Sequence, residues 1–407
     1  MNVSVAPAYW TRSTLRELAT INYGRDPSAI LHEDGQYPVY GTSGSERYGT
    51  GYLHEGESII LGRKGTIDRV HFATGRFWTI DTAYFLSRFT DARPKWLYYF
   101  LSRVDLRALN EATGVPSLSR DRLYKIVVET PPGPEQSKIA EVLSTVDLAI
   151  EQTEVLNGKQ QRIKTGLMQD LLTRGIDEHG NLRSEQSHEF KASPLGRIPV
   201  EWDAIPFGSC GQWSSGGTPS KSIRRFWGGG VPWVCPKDMK QFELHQSIDT
   251  ITVDAVAAGA RLMPVGTVFI VTRGMILAHT FPVGVSTKEV AFNQDVKAIV
   301  PRQGVRGRYL AYWLLSHSHQ FIRLATTATH GTKRFDLDEL QAIRIGVPLP
   351  HEQDQIVTIF DEQQAIIDRL RAISVKLRSQ RRGLMQDLLT GRRRVTGLLE
   401  PHEAVTG

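Results

Sequence analysis

Gly166-Leu-Met-Gln-Asp-Leu-Leu-Thr173 returns, residue for residue, as Gly383-Leu-Met-Gln-Asp-Leu-Leu-Thr390, 217 positions later. The same offset holds without a gap upstream. Glu135-Gln136 returns as Glu352-Gln353, Ile139 as Ile356, Ile150 as Ile367 and Lys159 as Lys376. A repeat this far apart lies well beyond the 20–50-residue periods of solenoids and implies duplication of a whole module. Each module opens on Pro-x-x-Trp, at Pro7/Trp10 and at Pro199/Trp202, where the offset is 192. The second module therefore carries about 25 extra residues in its front part, while its tail keeps a fixed length. The chain is expected to be two copies of one unit, each with a variable front and an invariant tail.

The tails read as long helices. Pro131-Pro132 and Pro348 stop a strand, and Glu135 or Glu352 follows in a first helical turn, where the helix dipole favours a carboxylate. Apolar residues then recur at spacings of three, four and seven: Ile139, Leu143, Val146, Ile150, Leu156, Ile163, Leu167 and Leu171 in the first tail. In the second they are Ile356, Phe360, Ile367, Leu370, Leu377, Leu384 and Leu388. This is the seam of a coiled coil. Gly175 and Gly391 end the two helices. Each helix would be roughly 57 Å long at 1.5 Å per residue. Two matching stripes are expected to pack on each other, and an antiparallel pair would place one front domain at each end. Gln160, Gln363 and Gln380 either interrupt the seam and set its register or flank it.

The fronts, near 8–130 and 200–347, are rich in Gly, Pro, aromatic and β-branched residues. Ser58-Ile-Ile-Leu61, Ile126-Val-Val128, Thr267-Val-Phe-Ile-Val271 and Ile343-Arg-Ile-Gly-Val347 read as strands. Helices are expected over Lys95–Leu109 and Arg308–Leu324. The fold class is α+β: two similar α/β domains separated by two long antiparallel coiled-coil helices, related by a pseudo-twofold internal repeat.

Length and an apolar fraction of 40% suit two or more cores. No apolar run reaches the roughly 18 residues that span a bilayer. MNVSVAPAYW lacks the pattern of a signal peptide, so a cytoplasmic location without membrane contact is expected. Cys210 and Cys235 are the only cysteines, too few for a disulfide framework or a four-cysteine zinc site. The net charge of +6 and pI near 9.2 are compatible with a polyanion partner.

Catalytic constellations are missing from the sequence. Thr130-Pro131-Pro132-Gly133 lacks the amide or acid and the aromatic residue that an amino-methyltransferase motif needs. No G-x-x-x-x-G-K-[ST] phosphate loop occurs. His317 and His319 face different directions on a helix and have no accompanying cysteine or carboxylate cluster. Ser214-Ser-Gly-Gly-Thr218 matches no nucleotide fingerprint and reads as a loop. No catalytic residue and no metal ligand is assigned, and the chain reads as a binding protein.

Candidate DNA contacts lie in glycine-rich loops of the fronts, where hydroxyl groups stand beside Arg and Lys. In the first they are Ser43, Arg47, Tyr48, Arg63, Lys64, Arg69, Ser117, Ser119 and Arg120. In the second they are Thr218, Ser220, Lys221, Arg224, Arg225, Lys237, Arg273, Thr332, Lys333 and Arg334. Such loops approach phosphates closely, and Arg or Lys can pair with guanine edges. Ordinary solvated loop charges would have the same composition. Two pairs stand out because they recur. Arg63-Lys64-Gly65 and Thr272-Arg273-Gly274 both follow a strand, and the Ser117–Arg120 loop overlies the Arg334 region, with Gly114 matching Gly331. Trp227 and Trp233 read as packing residues rather than base-stacking platforms, and Arg392-Arg-Arg394 as solvation of a helix end, with a phosphate contact as the alternative.

The chain resembles the specificity (S) subunits of type I restriction–modification systems. The resemblance rests on Pro194-Leu-Gly-Arg-Ile-Pro199 with Trp202, on Gly217-Thr-Pro-Ser220, and on Val231-Pro-Trp-Val234 with Pro236-Lys-Asp238. Tyr37-Pro-Val-Tyr-Gly41 and the Glu-Gln tails complete it. It covers nearly the whole chain. It implies two target recognition domains, each reading half of a split double-stranded DNA sequence, at 1–130 and 199–347. Spacer helices would occupy 131–176 and 348–392, a linker 177–198 and a C-terminal tail 393–407. It further implies a non-catalytic subunit that docks two methyltransferase (M) subunits and, in the full complex, two restriction (R) subunits. Cofactors would belong to those partners: S-adenosylmethionine on M, ATP and Mg on R, none on this chain. Within GLMQDLLT, Leu167, Leu171, Leu384 and Leu388 would form the seam. Met168, Gln169, Asp170, Met385, Gln386 and Asp387 would either face an M subunit or pack internally. The alternatives from other classes are a coiled-coil protein-docking scaffold and a defence-system adaptor on the same fold.

Overall fold

A computed structural model describes residues 6–327 and 332–399. Two helices of 39 residues dominate it, Gly133–Leu171 and Pro350–Leu388. Their ends carry the expected glycines: Gly175 and Gly391 take φ of +63° and +70°, a left-handed conformation that suits a residue without Cβ. The chain divides into two compact units. One comprises Met1–Val155 and Leu370–Gly407, the other Leu156–Arg369. Each unit thus contains one front domain, the start of that domain's own long helix and the end of the other.

In the first unit a four-stranded antiparallel sheet runs in the order Thr20–Tyr23, Ala83–Ser87, Ser58–Gly62, Val70–Ala73. A second four-stranded sheet is formed by Gly44–Gly49, Tyr37–Gly41, Arg76–Thr79 and His54–Glu55. Strand Thr11–Thr14 pairs with Val127–Thr130 and leads the chain into the long helix. The core joins Leu61, Leu86, Trp96 and Leu97 to Ile139 and Leu143 at the helix start. Met385, Leu388 and Leu389 from the second GLMQDLLT also enter it. The second unit repeats this plan. Its main sheet runs Gly211–Ser215, Val296–Pro301, Val268–Val271, Val283–Ser286, Glu243–Leu244, and Asp203–Pro206 pairs with Arg344–Val347. Its core takes Leu171 and Leu172 from the first GLMQDLLT, beside Ile356 and Phe360.

GLMQDLLT is therefore an internal packing element in both copies. Met168 packs against the second core and Met385 is buried in the first. Gln169 and Gln386 are exposed, and the aspartates pair locally, Asp170 with Arg174 and Asp387 with Arg392 and Arg393. The terminal arginines thus solvate and neutralise a helix end, and Arg394 stacks over Tyr9 at 4.7 Å.

The helices pair antiparallel within each unit. In the first, Asp147 meets Arg381 and Glu154 meets Arg378. In the second, Gln363 donates to the Gln160 side chain at 2.7 Å and Lys164 to Gln364 at 2.5 Å. Gln160 and Gln363 lie in the contact line, whereas Gln380 is exposed and flanks it. The expected seam needs one correction. Leu156 and Ile163 are 43% and 40% exposed. The contact line passes through Gln160, Leu167 and Leu171, leaving those two on its open flank because the apolar stripe is wider than the seam.

Glu135-Gln136 and Glu352-Gln353 recur because the glutamines lock each helix to its front domain. Gln136 Nε2 donates to Asp91 O and Pro131 O, and its Oε1 accepts from Arg93 N. Gln353 repeats all three contacts with Gly304 O, Pro348 O and Arg306 N. The shorter helices are less continuous than their periodicity suggested. Pro94–Leu101 stops before a separate 3-10 turn, Leu106–Leu109, capped by Asp105. Likewise Gly307–Ser316 and Ser318–Leu324 are split at His317, whose Nδ1 and backbone N–H both engage Trp313 O.

Candidate nucleic-acid interface

Strand Ser58–Gly62 ends in Arg63-Lys64-Gly65. Backbone N–H groups of Arg63 and Lys64 donate to Thr82 O at 2.8 and 3.1 Å, and Gly65 N donates to Pro116 O at 2.9 Å. Leu118 N returns a bond to Arg63 O, so Lys64 and Ser117 face each other in an isolated antiparallel bridge. In the second unit, strand Val268–Val271 ends in Thr272-Arg273-Gly274. Thr272 N and Arg273 N donate to Asp295 O, Gly274 N to Lys333 O, and Phe335 N to Thr272 O. Arg273 and Arg334 form the matching bridge. The two recurring loops, matched in the sequence only between modules, are joined to each other within each module by the same hydrogen bonds.

The bridge holds the basic side chains at the surface. Lys64, Arg120, Arg273 and Arg334 are exposed. Among the described residues no ion pair neutralises Arg63, Lys64, Arg120, Arg273, Lys333 or Arg334. Cations left without counter-charges at equivalent points suit a polyanion. In the first module Arg63, Lys64, Ser117, Ser119 and Arg120 line one cleft of about 290 Å³ together with Tyr23, Tyr84 and two carboxylates, Glu111 and Asp121, that pair with Arg122 and Arg16. Tyr23 was not legible as a site residue. It lies about 40 residues from Arg63 along the chain, and only strand pairing brings them together. The guanidinium groups of Arg63 and Arg120 lie 5.2 and 5.1 Å from the centre of its ring.

Other candidates fall elsewhere. Ser43 is at the turn, and Arg47 and Tyr48 on a strand, of the Tyr37–Gly41/Gly44–Gly49 hairpin in the other sheet. Arg69 is exposed just before Val70–Ala73. In the second module Thr218, Ser220, Lys221, Arg224 and Arg225 occupy the connection between Gly211–Ser215 and Trp227–Val234. The two tryptophans brace it: Trp233 Nε1 donates to Gly217 O at 3.0 Å and Trp227 Nε1 to Ser220 O at 3.2 Å. Thr218 bonds Gln294 at 2.7 Å. Lys237 is exposed in the turn after that strand. Thr332 precedes Lys333, whose Nζ donates to Thr327. Gly331 lies outside the described residues.

His317 stacks on Trp313, 3.8 Å between ring centres, and burial pushes its pKa below the ordinary value. Among the described residues no group of three or more His, Cys, Asp or Glu could hold a metal ion. No helix among them is long and apolar enough to cross a membrane.

A duplicated module with a basic bridge at each sheet end and an antiparallel helix pair defines a class. The family model "Type I restriction modification DNA specificity domain" matches residues 7–164 and 199–378, and the chain belongs to this family. It is 30% identical over 225 residues to the EcoR124I/EcoR124II specificity subunit of Escherichia coli, covering 54% of this chain and 55% of that one. It is 24% identical over 328 residues to the MjaVIII specificity subunit of Methanocaldococcus jannaschii, covering 74% and 71%. The match to the E. coli subunit thus spans about half of that relative's length. The fold is similar to the S subunit of a type I restriction–modification system from M. genitalium, with a TM-score of 0.63 at 17% identity, covering 93% of this chain and 96% of that one.

Proposed function

We propose that this chain is the non-catalytic specificity subunit of a type I restriction–modification complex. Each front domain reads one half of a bipartite double-stranded DNA target, and the paired helices set the gap. The observation that carries this reading is the duplicated bridge, Lys64–Ser117 and Arg273–Arg334, which presents basic side chains free of ion pairs among the described residues at the same point of both modules. Arg and Lys there can contact phosphates and guanine edges, the first fixing register and the second carrying sequence information. The proposed contacts are the nineteen residues named above, with the two bridges at the centre.

Membership of the family supports a particular set of partners. Two M subunits carrying S-adenosylmethionine would methylate adenine in the target, and R subunits with ATP and Mg would restrict unmethylated DNA. This chain supplies neither chemistry, and its work is binding and placement in the cytoplasm.

A salt titration of DNA binding by the complex with its M subunits tests the reading. Affinity is expected to fall steeply with added salt, by about three orders of magnitude between 50 and 200 mM if six or more phosphates are contacted. Arg273→Ala should relax one half-site and spare the other. Salt-insensitive partner binding without DNA affinity would instead identify a protein-docking scaffold.

A further inference from the structure

The two modules share their bridge but differ beside it. Strand Thr20–Tyr23 runs against Ala83–Ser87 with Tyr23 opposite Tyr84. Strand Gly211–Ser215 runs against Val296–Pro301 with Ser215 opposite Lys297. The pairs are equivalent: Thr82 and Asp295, whose carbonyls hold the two bridges, each lie two residues before Tyr84 and Lys297. At one point of a common frame the first module thus has two aromatic rings and the second a serine and a lysine.

In the first module this pair organises the cations. The Tyr23 ring sits edge-on to Tyr84 at 5.2 Å and remains 47% exposed. It carries the guanidinium groups of Arg63 and Arg120, which come from different loops. Arg63 is fixed further by Nη1 donating to Asp81 O at 3.0 Å, and Arg120 by its place in the first turn of Arg120–Tyr124, behind the Ser119 cap. A planar fork held against a ring loses less freedom when it engages a base edge than a free side chain would. In the second module Lys297 Nζ donates to Ser215 Oγ, which leaves a point charge and no ring.

We propose that Tyr23 is a positioning residue for DNA readout. It sets Arg63 and Arg120 as a pair of guanidinium forks that select guanine in the half-site read by the first module. Ser215 and Lys297 at the same point give the second module no ring-held pair of forks. This rests on the DNA-reading function proposed above. Guanine is the base specified because its O6 and N7 accept a fork in bidentate fashion. A packing role alone does not require a ring that is nearly half exposed to hold two cations.

The test sequences the methylated motif in cells expressing this chain with its own M subunit, using wild type, Tyr23→Phe, Tyr23→Leu and Arg120→Lys. Arg273→Ala identifies which half-site belongs to the second module. Tyr23→Phe keeps the ring and should keep the motif. Tyr23→Leu and Arg120→Lys should lower guanine discrimination by about tenfold at the same positions of the first half-site. The second half-site should be unchanged and the thermal midpoint close to that of wild type. An unchanged first half-site in both variants, or equal relaxation of both halves, would overturn the proposal. If Tyr23→Leu does not fold, Arg120→Lys against Tyr23→Phe decides in the same way. A wild-type complex that yields no split motif would overturn the DNA-reading function itself, which separates the two failures.

Discussion

Trp202 donates its indole N–H to Glu352, 3.2 Å from Oε2, across 150 residues of chain. The same buried carboxylate accepts from Arg183 at 2.5 Å and from the backbone N–H of Ile176 at 3.0 Å. Two landmarks that repeat independently in the sequence, Pro-x-x-Trp and Glu-Gln, thus meet in one cluster. It ties the front domain, its helix start and the segment after Gly175 together. The first unit solves the same problem differently. Glu135 is buried and accepts from Tyr9 at 3.1 Å, while the Trp10 indole has no partner among the described residues.

Arg183→Met should therefore be costly. Arg183 and Glu352 are 8% and 2% exposed, so removing the guanidinium leaves a buried carboxylate without its counter-ion. A loss of about 3–5 kcal/mol is expected in urea unfolding of the second unit. A loss below about 1 kcal/mol would show that Trp202 and Ile176 suffice.

Gly175 and Gly391 should not tolerate Ala. A Cβ at Gly175 would stand 2.0 Å from Glu352 Oε1 and 2.6 Å from the Trp202 ring, and at Gly391 2.2 Å from Pro7 Cδ. Both also hold positive φ. Each substitution is expected to cost about 2–4 kcal/mol, read as a drop in thermal midpoint.

The duplication, the helix lengths and the glycine stops were legible because identity at a fixed offset and heptad spacing are local signals. The bridge was half legible: Arg63–Gly65 and Ser117–Arg120 were singled out as recurring loops. Their joining depends on the Pro116 and Arg63 carbonyls, which sequence does not place. Tyr23 and Lys297 were invisible, since each becomes a neighbour of the bridge only through strand register. Leu156 and Ile163 misled because an apolar residue at heptad spacing can lie beside a seam as well as in it. The role of Glu352 was underestimated, because a first-turn carboxylate looks the same whether it faces solvent or a buried arginine.

The Gln160–Gln363 pair should behave as a coupled unit. Gln363→Leu alone strands the Gln160 side chain and is expected to cost about 1–3 kcal/mol. Adding Gln160→Leu should recover most of this while loosening helix register. Denaturation of the single and double variants measures the coupling. Additive losses would mean that the pair does not act together.

Both cysteines should be inert in the folded chain. Burial pushes the Cys210 thiol up to about 12, and burial with the Asp238 carboxylate raises Cys235 to about 11. Iodoacetamide at pH 8 should react at least about a hundredfold more slowly than with a free thiol, because so little thiolate is present. In urea both should react. Fast labelling without denaturant would contradict the burial.

His317 should confer acid sensitivity. Burial against Trp313 lowers its pKa below 6.5, so the folded state favours the neutral ring. This contribution is complete above the unfolded value and is lost as pH falls through the folded one. His317→Phe, which keeps the stack, should flatten the fall in thermal midpoint between about pH 7 and 5. An unchanged slope would assign the sensitivity to other groups.

The function proposed above has two equivalent heads read two half-sites across a gap set by the paired helices. Sequencing the methylated bases in DNA from a host carrying this gene and its M partner tests it most directly. The expected result is a single split motif with adenine methylated in both halves and a constant spacing between them. A continuous motif, or none that depends on this chain, would contradict it.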